Sequence, residues 1–222
     1  MAAMNFSDLL SRRFSCRAFK PDPVPRDTIE AILAMAQKTA SWNNVQPWHV
    51  HVIGGQRLEA FREAMLDAYE HAQPAPDFPW PKEYHGVYQQ RRRECGFGLY
   101  AAVGIAKGDR VASARQAREN FRFFGAPHVA IVTSDAALDV YGAVDAGAYV
   151  SNFMLAATSL GVATIAQGAL ASRSPVIREF LQLPDDRKIL CGISFGYCDE
   201  AQPVNAFRTT RAGIADTTTW VE

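Results

Sequence analysis

Excess charge is the first thing this sequence lacks. Across 222 residues, 23 Lys and Arg balance 23 Asp and Glu, so the formal net charge is zero. Nucleic acid is therefore set aside as the main partner, because a phosphate backbone needs a clear basic surplus on some face. No stretch reaches the ~20 apolar residues of a membrane span, and no N-terminal apolar run resembles a signal peptide. Cys16, Cys95, Cys191 and Cys198 form no CxxC pair and no zinc-like spacing. Internal repeats and low-complexity segments are missing too. What these absences leave is a reduced, cytoplasmic protein with no membrane, nucleic-acid or metal partner.

What is present is a mixture of helix and strand. Asn5 to Arg12 reads as a short helix with Phe6, Leu9 and Leu10 on one side. A second helix starts near Asp27, three residues before Glu30 in a capping-box arrangement, and Ile29, Ile32, Leu33 and Ala36 follow helical spacing. Trp48 to Ile53 alternates and meets Gly54-Gly55, the pattern of a strand. Leu58, Phe61, Met65 and Tyr69 mark another helix. Pro74, Pro76, Pro79 and Pro81 then exclude regular structure, and Lys82 to Phe124 predicts two helices broken near Gly104 to Asp109. Strands are expected at His128–Thr133, Ala163–Ala166 and Lys188–Tyr197, with a helix capped by Ser174 and carrying Pro175 at its first position.

Val140 to Leu160 is apolar or small on nearly every face, as in a helix in a core or at a subunit interface. Gly142, Gly147, Ala148 and Ser151 would let another helix approach closely. The residues from Asp199 lack core periodicity yet hold Phe207, Arg208, Arg211 and Trp220, which predicts an arm laid over a partner subunit. Long helical stretches separate the strands, so the class is α+β or α/β, and no linker divides residues 1–222 into two domains.

Several motifs invite chemistry. Gly96-Phe97-Gly98-Leu99-Tyr100-Ala101 fits G-x-G-x-x-A, but the polar run Gln89 to Cys95 cannot be the buried strand that a dinucleotide site requires. His49 and His51 share a strand face and lack a third ligand, so a structural role is expected. Arg12-Arg13-Phe14-Ser15-Cys16-Arg17 differs: guanidinium groups bind phosphate bidentately and a serine hydroxyl adds a small donor. The segment Ser41-Trp42-Asn43-Asn44-Val45-Gln46-Pro47-Trp48 likewise carries more hydrogen-bonding groups than a helix-to-strand turn needs.

Arg13-x-Ser15-x-Arg17-x-Phe19, followed by Ser41-x-x-Asn44-x-Gln46-Pro47-Trp48 and a late basic tail, resembles the FMN-dependent nitroreductase family. Gly125-Ala126-Pro127-His128 and Gln167-Gly168-Ala169 agree with it, so the resemblance runs from about Asn5 to Trp220. It implies an α+β fold with a central mixed sheet wrapped by helices, assembled as an intertwined homodimer with two flavin sites at the interface. It further implies that Arg13, Ser15 and Arg17 hold the FMN phosphate, with backbone from Phe14 and reach from Arg208 and Arg211. Ser41, Trp42 and Asn44 would lie against the flavin ring, and Gln167 and Gly168 would approach its reactive nitrogen through backbone amides. The implied activity is transfer of a hydride from NADH or NADPH through FMN to a nitroaromatic or quinone, with no catalytic side chain.

The chain departs from the family pattern at Ala40, usually proline; at Trp42, usually small; and at Phe14, usually basic. Residues 74–108 are expected to form a lid and 199–222 an arm. The Arg91-Arg92-Arg93 run is a solvated helix face by default; as part of a lid it would favour a carboxylate-bearing acceptor such as a nitrobenzoate. Reductive dehalogenases and a flavin-degrading enzyme share the fold and stay open as alternatives, as does a flavin-binding protein without turnover. An anion-binding adaptor would purify colourless.

Overall fold

The computed structural model describes residues 5–222. Its centre is a four-stranded sheet in the order β1-β2-β4-β3, formed by β1 (Trp48–Gly54), β2 (His128–Asp135), β3 (Ala163–Gln167) and β4 (Arg187–Gly196). All the long pairings are antiparallel. Instead of the expected mixed sheet, parallel pairing among the described residues is confined to one bridge, Ser15 with Thr164, at the outer edge of β3.

β2 shows why the sheet is a two-sided layer. Successive side chains point to opposite faces: Val129 and Ile131 enter one core with Leu58, Phe61, Met65 and Ile177. Ala130 and Val132 enter the other with Ile32, Tyr149 and Phe153. The first core lies under α3 (Gly55–His71) and α7 (Ser174–Leu181), the second under α2 (Arg26–Ala36) and α6 (Asp139–Ser159). Each large apolar side chain buried in this way stabilises the fold by roughly 1.5–3 kcal/mol.

Some local expectations need correction. Asp27 does not cap α2; Pro25 precedes the helix, and Asp27 lies in its first turn, accepting from the Thr28 N–H at 2.7 Å. Ser174 does not cap α7 either. It is the first helical residue, its hydroxyl donates to Ala171 O at 2.8 Å, and Pro175 follows. In α1 (Phe6–Arg12), Leu9 is half-buried, whereas Phe6 and Leu10 stay exposed among the described residues.

Helix α6 divides its apolar surface. Ala146, Tyr149, Phe153 and Ala157 face the core, with Tyr149 stacked on Trp48 at 5.0 Å. Gly142 permits close packing, since a Cβ there would meet Ser134 Oγ at 2.6 Å. Val140, Tyr141 and Val144 remain exposed, and Gly147 opens onto nothing within 4 Å.

Residues 74–108 comprise an irregular strap and α4 (Gly86–Ala102), which buries no residue; α5 (Arg110–Arg118) follows. The G-x-G-x-x-A stretch lies inside α4. The strap is pinned at Asp77, whose carboxylate takes both 2.8 and 2.9 Å bonds from Arg178 and a third, at 2.8 Å, from the Ile189 N–H. The terminal arm splits in two. Val204 and Asn205 are buried against their own chain, whereas Ile214, Trp220 and Val221 are exposed.

The buried His128 ties the strap before α2 to the sheet. Its Nε2 accepts from the Val24 N–H at 3.0 Å, and its ring stacks on Phe195. Burial lowers its pKa below the ordinary histidine value of 6.5. Above that value the ring is neutral in both states; below it the unfolded chain takes up the proton first, so stability falls with falling pH. His128→Gln keeps an acceptor for Val24 and removes the titration. The drop in urea midpoint between about pH 7.5 and about pH 5.5 should therefore be smaller in the variant. An equal drop would place the acid sensitivity elsewhere.

Candidate cofactor site

Beyond α1 the chain runs extended along the free edge of β3. Arg13 leaves the helix at φ −64°, ψ 126°, Cys16 N–H donates to Thr164 O at 3.0 Å, and Lys20 N–H donates to Tyr197 O at 2.9 Å. In an extended segment alternate residues share a face, which brings Arg13, Ser15 and Arg17 together. Cys16 points the other way and is fully buried. Desolvation first, offset by a bond to Ala18 O, raises its thiol to about 12, so it is a packing residue and not a nucleophile.

The arm reaches the same face from the other end of the chain. Asn205 is its clasp: Oδ1 accepts the Arg17 N–H at 2.7 Å, and Nδ2 donates to Ala18 O and Asp199 O, each at 2.8 Å. Phe207 then lies over Gly98 of α4, where a Cβ would come within 2.8 Å of its ring. Beyond it Arg208 and Arg211 close a cavity of about 380 Å³ lined by Arg13, Phe14, Ser15 and Arg17.

Four guanidinium groups thus meet at one cavity, and none of them is in an ion pair with a carboxylate among the described residues. Burial, and then the charge of Arg211, lowers the pKa of Arg13; burial lowers that of Arg17. Local oxygens hold the groups in place. Arg17 Nη1 donates to Ser15 O at 3.2 Å, Arg208 Nη1 to Asn205 O at 2.6 Å, and Arg211 Nη1 to Thr209 Oγ1 at 2.8 Å. Arg208 also stacks 3.8 Å above the Phe14 ring. Each guanidinium has five N–H donors, so most remain for a ligand. Such a set suits a phosphate dianion.

Two larger cavities adjoin α4. One, of about 1000 Å³, lies between α4 and the arm, with Arg91, Cys95 and Arg211 in its wall. The other, of about 810 Å³, lies between the strap and α4 and is floored by Gly168 and Ala169. Gln167 itself turns inward. Ser194 Oγ donates to its Oε1, and its Nε2 donates to Asn120 O at 2.9 Å. Its amide group therefore fixes the turn, while Gly168 is the exposed residue.

Ser41, Trp42 and Asn44 do not join the arginine cavity. Their polar groups hold the turn itself: Ser41 Oγ accepts the Gln46 N–H at 2.9 Å, and Gln46 Nε2 donates to Asn44 Oδ1 at 3.2 Å. Asn43, Asn44 and Gln46 all have positive φ, a region asparagine tolerates better than most residues. Asp145 pins the segment to α6 by accepting the Trp42 N–H at 3.0 Å, and the exposed Trp42 ring leans on Tyr141. Trp48, which ends this turn, pairs with Ser134, whereas Thr164 sits in the row of Phe195 and His128. The two segments thus occupy opposite corners of the sheet, about 20 Å apart along the strands and about 14 Å across them.

Asn205 and Asp145 escaped the sequence reading, and Gly98 entered it only as part of the G-x-G-x-x-A stretch. Asp145 had a signal, as the one charge within the apolar 140–160 helix. The roles of Asn205 and Gly98 had none, because they depend on a contact between the arm and distant segments.

The sequence profile described as the Nitroreductase family matches residues 10–197. Nitroreductase NfnB of Mycolicibacterium smegmatis is 38% identical over 211 residues, covering 95% of this chain and 90% of that protein. A 4-nitrobenzoate reductase of Nocardioides sp. is 35% identical, covering 94% and 87%. The solved structure of the FMN and NADPH-dependent nitroreductase NfnB from sphigopyxis sp. strain HMH superposes with a TM-score of 0.95 at 30% identity, covering 99% and 100% of the two chains. Profile, sequence and fold agree along nearly the whole chain, which therefore belongs to the nitroreductase family.

Proposed function

We propose that the protein is an FMN-dependent nitroreductase that takes reducing equivalents from NADPH or NADH and passes them to a nitroaromatic or quinone-like acceptor. The observation that carries this reading is the cavity with four guanidinium groups and no carboxylate. Its residues fit the phosphate end of FMN: Arg13, Arg17, Arg208 and Arg211 supply charge-assisted donors, and Ser15 adds a hydroxyl. Phe14 supplies the platform on which Arg208 rests, so the arm brings a cation to the place where the family usually has one. FMN bound there supplies hydride transfer between the nicotinamide and the acceptor.

The remaining residues position and shield. Gly168, with no side chain above the turn, leaves its backbone open to the flavin edge, and Gln167 holds that turn still. Ser41, Trp42 and Asn44 lie too far from the arginines to serve the same cavity within one chain. A homodimer removes the difficulty, with Ser41, Trp42 and Asn44 of the partner subunit closing each flavin site. The exposed Val140, Tyr141 and Val144 of α6, with Phe6 and Leu10, form the apolar surface such a dimer would bury. Ile214 and Trp220 of the arm are exposed as well. Residues 74–108, whose helix buries nothing, act as the lid, and residues 1–222 form one domain. The four free cysteines suit a reducing cytoplasm.

Three results are expected. Arg17→Ala removes a charge-assisted contact of about 1.5–3 kcal/mol and should weaken FMN about ten- to a hundredfold in a titration of the apoprotein; unchanged affinity would misplace the phosphate. Val144→Glu should dissociate the dimer in analytical ultracentrifugation and release flavin, whereas a monomer that retains FMN would sink the composite site. Because donor and acceptor use one cavity in turn, double-reciprocal plots should be parallel. Intersecting lines would mean that both bind at once.

A further inference from the structure

Helix α4 sends its three consecutive arginines to two places. Neighbours on an α-helix point about 100° apart. Arg91 accordingly lines the cavity shared with Arg208 and Arg211. Arg92 and Arg93 line the separate cavity between the strap and the Gly168 turn. Neither is in an ion pair among the described residues, and Arg92 sits 5.3 Å from the centre of the Tyr84 ring. Lys82 adds a third cation. The one carboxylate in the lining, Glu83, lies 3.5 Å from His85.

We infer that Arg92 and Arg93 form a carboxylate subsite, and that the acceptors this protein prefers are nitroarenes carrying a carboxylate opposite the nitro group. The inference rests on the nitroreductase reading above. The planar guanidinium pairs with a planar carboxylate through two parallel bonds. Trp80 and Tyr84 supply aromatic faces for the ring between. Gly168 lines the same cavity and has nothing within 4 Å of where a Cβ would stand. A benzene ring held by its carboxylate at α4 would therefore share this cavity with the turn where the flavin edge is placed. The cavity of about 810 Å³ is large enough for a one-ring acceptor. Both arginines are exposed, so water screens them and the preference is modest and sensitive to salt.

The test uses the FMN-loaded enzyme with three acceptors: 4-nitrobenzoate, its neutral isostere 4-nitrobenzamide, and nitrobenzene. In the natural protein, kcat/KM should favour 4-nitrobenzoate over 4-nitrobenzamide, by a ratio that shrinks as salt rises. In Arg92→Ala/Arg93→Ala that ratio should fall about three- to tenfold, mainly through KM, and Arg92→Lys/Arg93→Lys should restore part of it. A ratio near one in the natural protein, or one unchanged in the double alanine variant, overturns the subsite while leaving nitroreduction intact. If the variant instead shows a KM raised for NADPH but not for NADH, at an unchanged acceptor ratio, the arginines serve the nicotinamide phosphate and the inference is wrong. Failure of the natural protein to reduce any of the three would count against the proposed function itself. The salt dependence of the natural protein needs no variant, so the question is decided even if a substitution disturbs the lid.

Discussion

Repulsion between like charges is the constraint around which this structure is organised. Four guanidinium groups converge on one cavity without a carboxylate to neutralise them, and each pair costs Coulomb energy that water only partly screens. A free chain would splay them apart. The fold holds them by hydrogen bonds that are indifferent to charge: the edge of β3 takes the 13–17 segment, and the three bonds of Asn205 bring in the arm. Conformational order is thus maintained against electrostatics, and a dianion entering the cavity would recover what the fold has spent.

The same logic explains why the arm is so unevenly built. Up to Phe207 it behaves as part of the core, with Val204 and Asn205 buried and the Phe207 ring seated over Gly98. Beyond Arg208 it has almost no apolar contact with its own chain, and Ile214 and Trp220 stand in solvent. The boundary falls where the arginines are delivered. The buried clasp thus fixes the arm just before its two arginines, and the exposed tail begins beyond them.

Much of this was legible in the residues. The four strands and the long helices were legible, β2 as an apolar run that both cores bury and α6 as a long stretch apolar or small on nearly every face. The arginine motif was legible as a cluster of arginines and a serine after a short helix and through the family resemblance, whereas the extended path that puts Arg13, Ser15 and Arg17 on one face appears only in the structure. Other features could not be read. Ser41 and Asn44 appear as ligand donors in sequence, yet their side chains support the turn, and only the three-dimensional path shows that they stand at the far corner from Arg13. Ser174 and Asp27 look like caps because cap chemistry is local, but Arg173 and Pro25 occupy the N-cap positions and each expected cap lies inside its helix. Asn205 carries no local signal, since its three partners come from a distant strand edge and its own loop.

Helix α4 ties the two ends of the site together. It has no buried residue of its own, and it is held chiefly where Gly98 receives Phe207 and where Arg92 approaches Tyr84 of the strap. Because one helical turn takes about 3.6 residues, a run of three arginines must face more than one direction, and here the directions are the cavity shared with Arg208 and Arg211 and the cavity beside Gly168. A shift of α4 would move both sets of charges at once. Elements with little buried apolar contact open at low free-energy cost, so α4 can yield to an entering acceptor more readily than the sheet can. Gly98 limits that freedom: any residue with a Cβ at this point would push on the ring that precedes Arg208, and would pass a shift of α4 directly to the arginine cavity.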